Sequence, residues 1–213
     1  MAGLAALRPP AQTLLLVEDS RHAAEGLRLV ARRLGLRLRR AETLAAARQH
    51  LRLYRPDAVL IDLGLPDGSG LELIAELAAR PPASGAPRIV ALSADPESRE
   101  AALAAGALDF LAKPLRLPAD LPVLLGPAAP AGGATGPLPP IDPLALRDDL
   151  ARAGRALADQ RLDYAAGFLQ GLARCAGDPG LDQAATLARR TGEAGPLSRL
   201  LAERLAADPA DLL

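Results

Sequence analysis

The sequence predicts an α/β fold, a doubly wound five-stranded parallel sheet, followed by a separate all-α four-helix bundle. Three observations carry that expectation. In the first 125 of the 213 residues, short apolar runs alternate with amphipathic helical stretches, the mark of repeated strand and helix units. The stretch "GPAAPAGGATGPLPP" (126 to 140) holds nine Gly or Pro and no charge, so it sustains neither a helix nor a central strand and reads as an exposed connector. Beyond it only helical periodicity is found. The expected division is residues 1–125, a linker at 126–140 and a helical unit at 141–213.

Taken in order, "TLLLVE" (13–18), "DAVLID" (57–62), "RIVALS" (88–93) and "ALDFLA" (107–112) are continuous apolar runs, as strands covered on both faces are. By contrast "LRLRRA" (36–41) alternates, which fits an edge strand with Arg37 and Arg39 turned to solvent, where charge discourages edge pairing. Helices fit between the strands at roughly 20–34, 43–54, 69–80 and 95–105, giving repeated strand-helix units and hence a parallel, doubly wound sheet. The segment "RLPADLPVLLG" (116–126) carries Pro118 and Pro122, so the last helix there is either one or two turns starting near Pro122 or partly irregular.

After the connector, Asp142 reads as an N-cap with Pro143 at the first helical position, and Leu146, Leu150, Ala153 and Leu157 form one stripe. A second stripe holds Leu162, Ala166, Leu169, Leu172 and Ala176 and stops at Gly177. The next helix restarts at Asp178-Pro179 and stops at Gly192, and a last one begins at Pro196 with Leu197, Leu201 and Leu205. Four amphipathic helices joined by short loops predict an antiparallel bundle.

Half the residues are apolar, enough for a sizeable core, and 25 basic residues balance 25 acidic ones, so no global field favours nucleic acid or an anionic membrane. The leading "MAGLAALRPPAQ" has too short an apolar run for a signal peptide, and no apolar stretch reaches membrane-spanning length. A cytoplasmic protein without membrane contact is expected. The lone Cys175 can form no internal disulfide and has no Cys or His at metal-ligand spacing, which agrees with a reducing compartment.

In a doubly wound sheet the functional crevice lies outside the carboxyl ends of the strands. Those ends carry Glu18 and Asp19, then Asp62, Ser93 and Lys113, the only lysine among 25 basic residues. Three converging acids repel one another and raise each other's pKa unless a dication sits among them. Mg²⁺ suits the set, because it takes one or two carboxylates, a carbonyl and waters and leaves room for phosphate oxygens. The chemistry suggested is phosphoryl transfer.

With Asp62, Pro66 and Gly70 in "VLIDLGLPDGSG", the acidic pair in "LLLVEDS", the hydroxyl in "VALSA" and the Lys-Pro of "GALDFLAKP", residues 12–117 resemble the receiver domains of two-component response regulators. The resemblance implies a flavodoxin-like fold in which Asp62 accepts a phosphoryl group from the phosphohistidine of a sensor histidine kinase or phosphotransfer protein. It implies that Asp19 ligates Mg²⁺ directly, Glu18 does so through water, and Asp62 and the backbone carbonyl of Gly64 complete the set. Ser93 would hydrogen-bond one phosphoryl oxygen and Lys113 would pair with another, a task for a compact ammonium rather than a planar guanidinium. Phe110 stands where receivers carry an aromatic that follows the hydroxyl of Ser93, so that phosphorylation biases a two-state surface. Such a protein is a switch that phosphorylates and dephosphorylates itself, not a turnover enzyme.

The second bundle helix is similar to the active helix of histidine-containing phosphotransfer domains in Leu169, Gly171, Gly177 and Leu181. Gly167 stands at the histidine position, however, and Gln170 at the lysine position. Both histidines, His22 and His50, precede the connector, so no phosphohistidine forms in the bundle, which is expected to bind a protein target without exchanging phosphate. A homodimer is left open. Two alternatives have features against them. For a DNA-binding regulator with a helical output, residues 141–213 hold nine Arg against eleven Asp or Glu with no basic stripe. For an Asp-nucleophile phosphatase, Gly64 stands where a second acid is needed.

Overall fold

The computed structural model describes residues 12–80, 86–116, 119–126 and 143–207. The expected connector beyond Gly126 and the Asp142 cap lie outside them, as does Pro118. The α/β part runs β1 (Thr13–Val17), α1 (Arg21–Arg33), β2 (Arg37–Ala41), α2 (Leu44–Leu53), β3 (Ala58–Asp62), β4 (Gly64–Leu65), β5 (Gly68–Ser69), α3 (Gly70–Ala78), β6 (Arg88–Ser93), α4 (Arg99–Ala104), β7 (Asp109–Ala112) and α5 (Leu121–Leu125). Its five long strands form the expected parallel sheet in the order β2-β1-β3-β6-β7. The order turns back between β1 and β3, so the crevice opens where Asp19 and Asp62 leave the sheet.

Strand alternation divides the apolar residues between two layers. Leu14, Leu16, Leu60 and Leu92 face Leu27 and Val30 of α1 and Leu124 of α5, whereas Leu15, Val17, Ile61 and Ala91 face Leu44 of α2, Leu73 and Ile74 of α3 and Ala102 of α4. The edge strand β2 exposes Arg37 and Arg39, as its alternation predicts. Two features depart from simple periodicity. The two-residue strands β4 and β5 pair antiparallel just after Asp62; they are too short to leave a repeat in the sequence. The last helix shrinks to the five residues of α5, whose Val123 carbonyl accepts from Arg88 Nε at 2.6 Å.

The helical part comprises α6 (Pro143–Ala158), α7 (Leu162–Ala176), α8 (Pro179–Thr191) and α9 (Gly195–Ala206). Each packs on its neighbour in sequence and α9 closes the ring against α6, around Leu146, Leu150, Leu169, Leu172, Leu181 and Leu201. Gly177 and Gly192 stop α7 and α8 at φ of +72° and +76°, where a side chain would be strained. The bundle has its own core but does not stand apart. Helix α6 packs on α1, and α7 packs on α1 and β4, which places the bundle over the carboxyl ends of the sheet.

Candidate functional site

The ends of β1, β3, β6 and β7 deliver the functional groups. After β1, Glu18 N–H still donates to Ala41 O across the sheet at 2.9 Å, so the chain turns inward only at the acidic pair. Arg40 holds that turn, donating from Nε to Glu18 O at 2.9 Å and from Nη2 to Asp19 O at 2.7 Å. Ser20 caps α1 by accepting Ala23 N–H at 2.9 Å, a role serine oxygens serve well. At the end of β3, Asp62 Oδ1 accepts Gly64 N–H at 3.2 Å and Oδ2 accepts Lys113 Nζ at 2.9 Å. The same ammonium lies 2.7 Å from Glu18 Oε2, and all three side chains are more than nine-tenths buried. Ser93 Oγ, at the end of β6, accepts Asp95 N–H at 3.1 Å. Phe110 is buried in the core layer formed with α2, α3 and α4.

Carboxylate oxygens of Glu18, Asp19 and Asp62 lie within 4.8 Å of one another. Among the described residues Asp19 Oδ1 is buried with no hydrogen-bond partner, and buried charge without a partner is costly. An orphaned oxygen beside two further carboxylates is a donor set that fits a hard, oxygen-seeking dication.

The electrostatics agree. Burial, reinforced by the Glu18 carboxylate, pushes Asp19 up from 3.8 to about 7, and burial pushes Asp62 up to about 6 although Lys113 pulls the other way. Burial would lower the Lys113 ammonium, but Asp62 and Glu18 hold it above its ordinary range. Acids whose pKa is raised on folding contribute stability below their unfolded value and lose it as pH rises through the folded one. Without a dication the chain should therefore lose stability between about pH 3.8 and about pH 7. Urea titrations across that range should show the midpoint falling, and adding Mg²⁺ at pH 7.5 should restore it.

The bundle contributes groups that sequence patterns did not single out. The Tyr164 hydroxyl donates to Asp19 Oδ2, and Arg152 Nη1 lies 3.9 Å from the same oxygen. Asp149, fully buried, takes over the start of α1: Oδ2 accepts the Ser20 hydroxyl at 2.8 Å and His22 N–H at 3.1 Å, and Oδ1 accepts Arg21 N–H at 3.3 Å. Gly167 lines a cavity of about 280 Å³ together with Asp62, Ser93 and Lys113. Gln170 also borders this cavity but is tied to α8, donating to Thr186 Oγ1 and accepting from Arg189 Nη1, both at 2.8 Å. Cys175 is partly buried, and burial pushes its thiol up to about 11, an inert thiol at neutral pH.

Among the described residues no helix is long and apolar enough to cross a membrane. Comparison with known proteins gives a consistent assignment. The chain is 40% identical over 102 residues to the KDP operon transcriptional regulatory protein KdpE of Escherichia coli K12, covering 47% of this chain and 44% of KdpE. It is 40% identical over 114 residues to the aerobic respiration control sensor protein ArcB of the same organism, covering 52% of this chain and 14% of ArcB. The chain thus spans less than half the length of either curated relative. Among solved structures, the receiver domain of sensor histidine kinase PA1611 from Pseudomonas aeruginosa PAO1, which holds a magnesium ion in its active site cleft, matches at 32% identity and a TM-score of 0.46, over 55% of this chain and 98% of that one. Residues 14–121, half of the chain, match the response regulator receiver domain as a family, and they include Glu18, Asp19, Asp62, Ser93 and Lys113; the chain belongs to the response regulator receiver family.

Proposed function

We propose that Asp62 is the phosphoacceptor of a two-component relay and that residues 143–207 form the module whose protein contacts it controls. One observation carries the reading: Asp62 is held at the sheet's carboxyl end between the sole lysine and a carboxylate oxygen that has no partner among the described residues. Mg²⁺ bound by Asp19, Asp62 and the Gly64 carbonyl, with Glu18 reached through water, would neutralise charge on the transferring phosphoryl group. Lys113 then shifts from a carboxylate pair to a phosphoryl oxygen without leaving its place. Ser93 Oγ accepts the Asp95 N–H, a bond that leaves its O–H able to donate to a phosphoryl oxygen, and Phe110, whose backbone is joined to β6, would respond. The donor is the phosphohistidine of a sensor kinase or phosphotransfer protein.

The bundle serves as a protein-binding unit that keeps the shape of a phosphotransfer domain without its histidine. Incubation with acetyl [³²P]phosphate and Mg²⁺ tests the site: the chain should acquire one base-labile acyl phosphate, and Asp62→Asn should reduce it to background with its circular dichroism unchanged. Equal labelling of the variant would overturn the assignment.

A further inference from the structure

Helix α7 is attached around the crevice at three points, each on a different loop. Its Tyr164 hydroxyl reaches Asp19 after β1, the Arg161 guanidinium just before its first turn reaches the Pro66 carbonyl after β3, and the Arg174 guanidinium reaches the Ala94 carbonyl after β6. Between these attachments the helix turns two glycines, one helical turn apart, toward the acceptor. At Gly171 the approach is close: a Cβ would lie 3.2 Å from Lys113 Cδ and 3.8 Å from Ala94 Cβ. At Gly167 it is open. Among the described residues a Cβ there meets nothing within 4 Å, and the space before it is the cavity shared with Asp62, Ser93 and Lys113.

A surface with a polar rim, a tight contact at one glycine and an open chamber at the next is a docked transfer helix from which the transferring group has been removed. We propose that α7 occupies, on its own receiver, the place of an incoming phosphodonor helix, with position 167 at the donor position, so that the bundle caps Asp62 and a protein donor must displace it. The proposal rests on Asp62 being the acceptor. Because one surface cannot hold both helices, transfer from a protein donor scales with the undocked fraction, whereas a donor small enough for the chamber has no such requirement.

Gly167→His in the full chain tests this without a cognate kinase. The variant is sterically permitted, and the imidazole would enter the chamber facing the phosphorylated Asp62. Its unprotonated ring nitrogen attacks phosphorus, the P–O bond to Asp62 breaks with the electron pair leaving on the carboxylate, a P–N bond forms, and the other ring N–H proton passes to solvent. After acetyl [³²P]phosphate and Mg²⁺, Gly167→His should yield acid-labile, base-stable phosphohistidine at a rate independent of protein concentration. The label should vanish in Gly167→His/Asp62→Asn, and also in Gly167→His/Arg161→Ala/Arg174→Ala, which frees the rim while Asp62 is still labelled. Labelling of Asp62 with no Asp62-dependent phosphohistidine, or a rate proportional to concentration, would overturn the cap and leave the acceptor in place. Failure to label Asp62 in the unaltered chain would bring down the acceptor and the cap together.

Discussion

Lys113→Ala should destabilise the metal-free chain by roughly 3–5 kcal/mol, the usual cost of removing one partner from a buried ion pair. The ammonium is 2.9 Å from Asp62 Oδ2 and 2.7 Å from Glu18 Oε2, with only 9% of its side chain exposed. Its loss leaves two carboxylates, with Asp19 beside them, in a medium that has already raised Asp62 and Asp19 by burial. Protonation relieves part of this, so the deficit should shrink below about pH 6, and it should shrink again when Mg²⁺ is supplied at neutral pH. Lys113→Arg should not restore the native value: the stem lies against α7, where even a Cβ at Gly171 would come within 3.2 Å of Lys113 Cδ, and a planar fork needs more room than an ammonium. Urea denaturation at pH 7.5 with and without Mg²⁺ measures all three. A loss under about 1 kcal/mol without metal, the scale of an exposed pair, would show that the cluster does not depend on its lysine.

Gly70→Ala should disable the acceptor loop more directly than any change of charge. A Cβ at position 70 would overlap the Asp62 carbonyl oxygen and lie 2.9 Å from Leu63 Cα. Both neighbours are backbone, so no rotamer change relieves the contact, and the Gly70 N–H is committed to Leu63 O at 3.0 Å. Overpacking of this kind costs about 1–3 kcal/mol or more, and the strain falls on the segment that aims Asp62. Labelling by acetyl phosphate should drop sharply even in the fraction that folds. Gly64→Ala is the control, since a Cβ there meets nothing within 4 Å among the described residues; its melting temperature should stay close to that of the unaltered chain. Similar labelling rates for the two variants would show that the close approach at Gly70 does not govern the site.

The sheet and its strand ends were legible because burial on both faces writes itself as unbroken apolar runs. The residues that end those runs, Glu18, Asp19, Asp62, Ser93 and Lys113, do meet at one place. The β4 and β5 pair escaped notice because two residues carry no period. The attachment of the bundle was not legible for a different reason. Amphipathic patterning reports which stripe of a helix enters its own core, as Leu162, Leu169 and Leu172 do in α7. It says nothing of what the other face meets. Tyr164, Arg152 and Asp149 sit on such faces, and each looks like an ordinary surface residue until its partner 127 or more positions away is known. One signal was available for Gly167 and Gly171, since two small residues at a four-residue spacing mark a face that something approaches. At Gly171 what approaches is Lys113, from outside the bundle.

The contact of Asp149 with the first turn of α1 has a consequence for cooperativity. Two amides that begin the helix following the acidic pair, and the serine hydroxyl that caps it, are satisfied by a residue of α6. Without the bundle α1 keeps its Ser20 cap but turns these two amides and the serine hydroxyl to water, and the bundle exposes a carboxylate that is fully buried when docked. Docking therefore lends free energy to both parts, so the two hydrophobic cores should unfold at closer temperatures in the full chain than they would undocked.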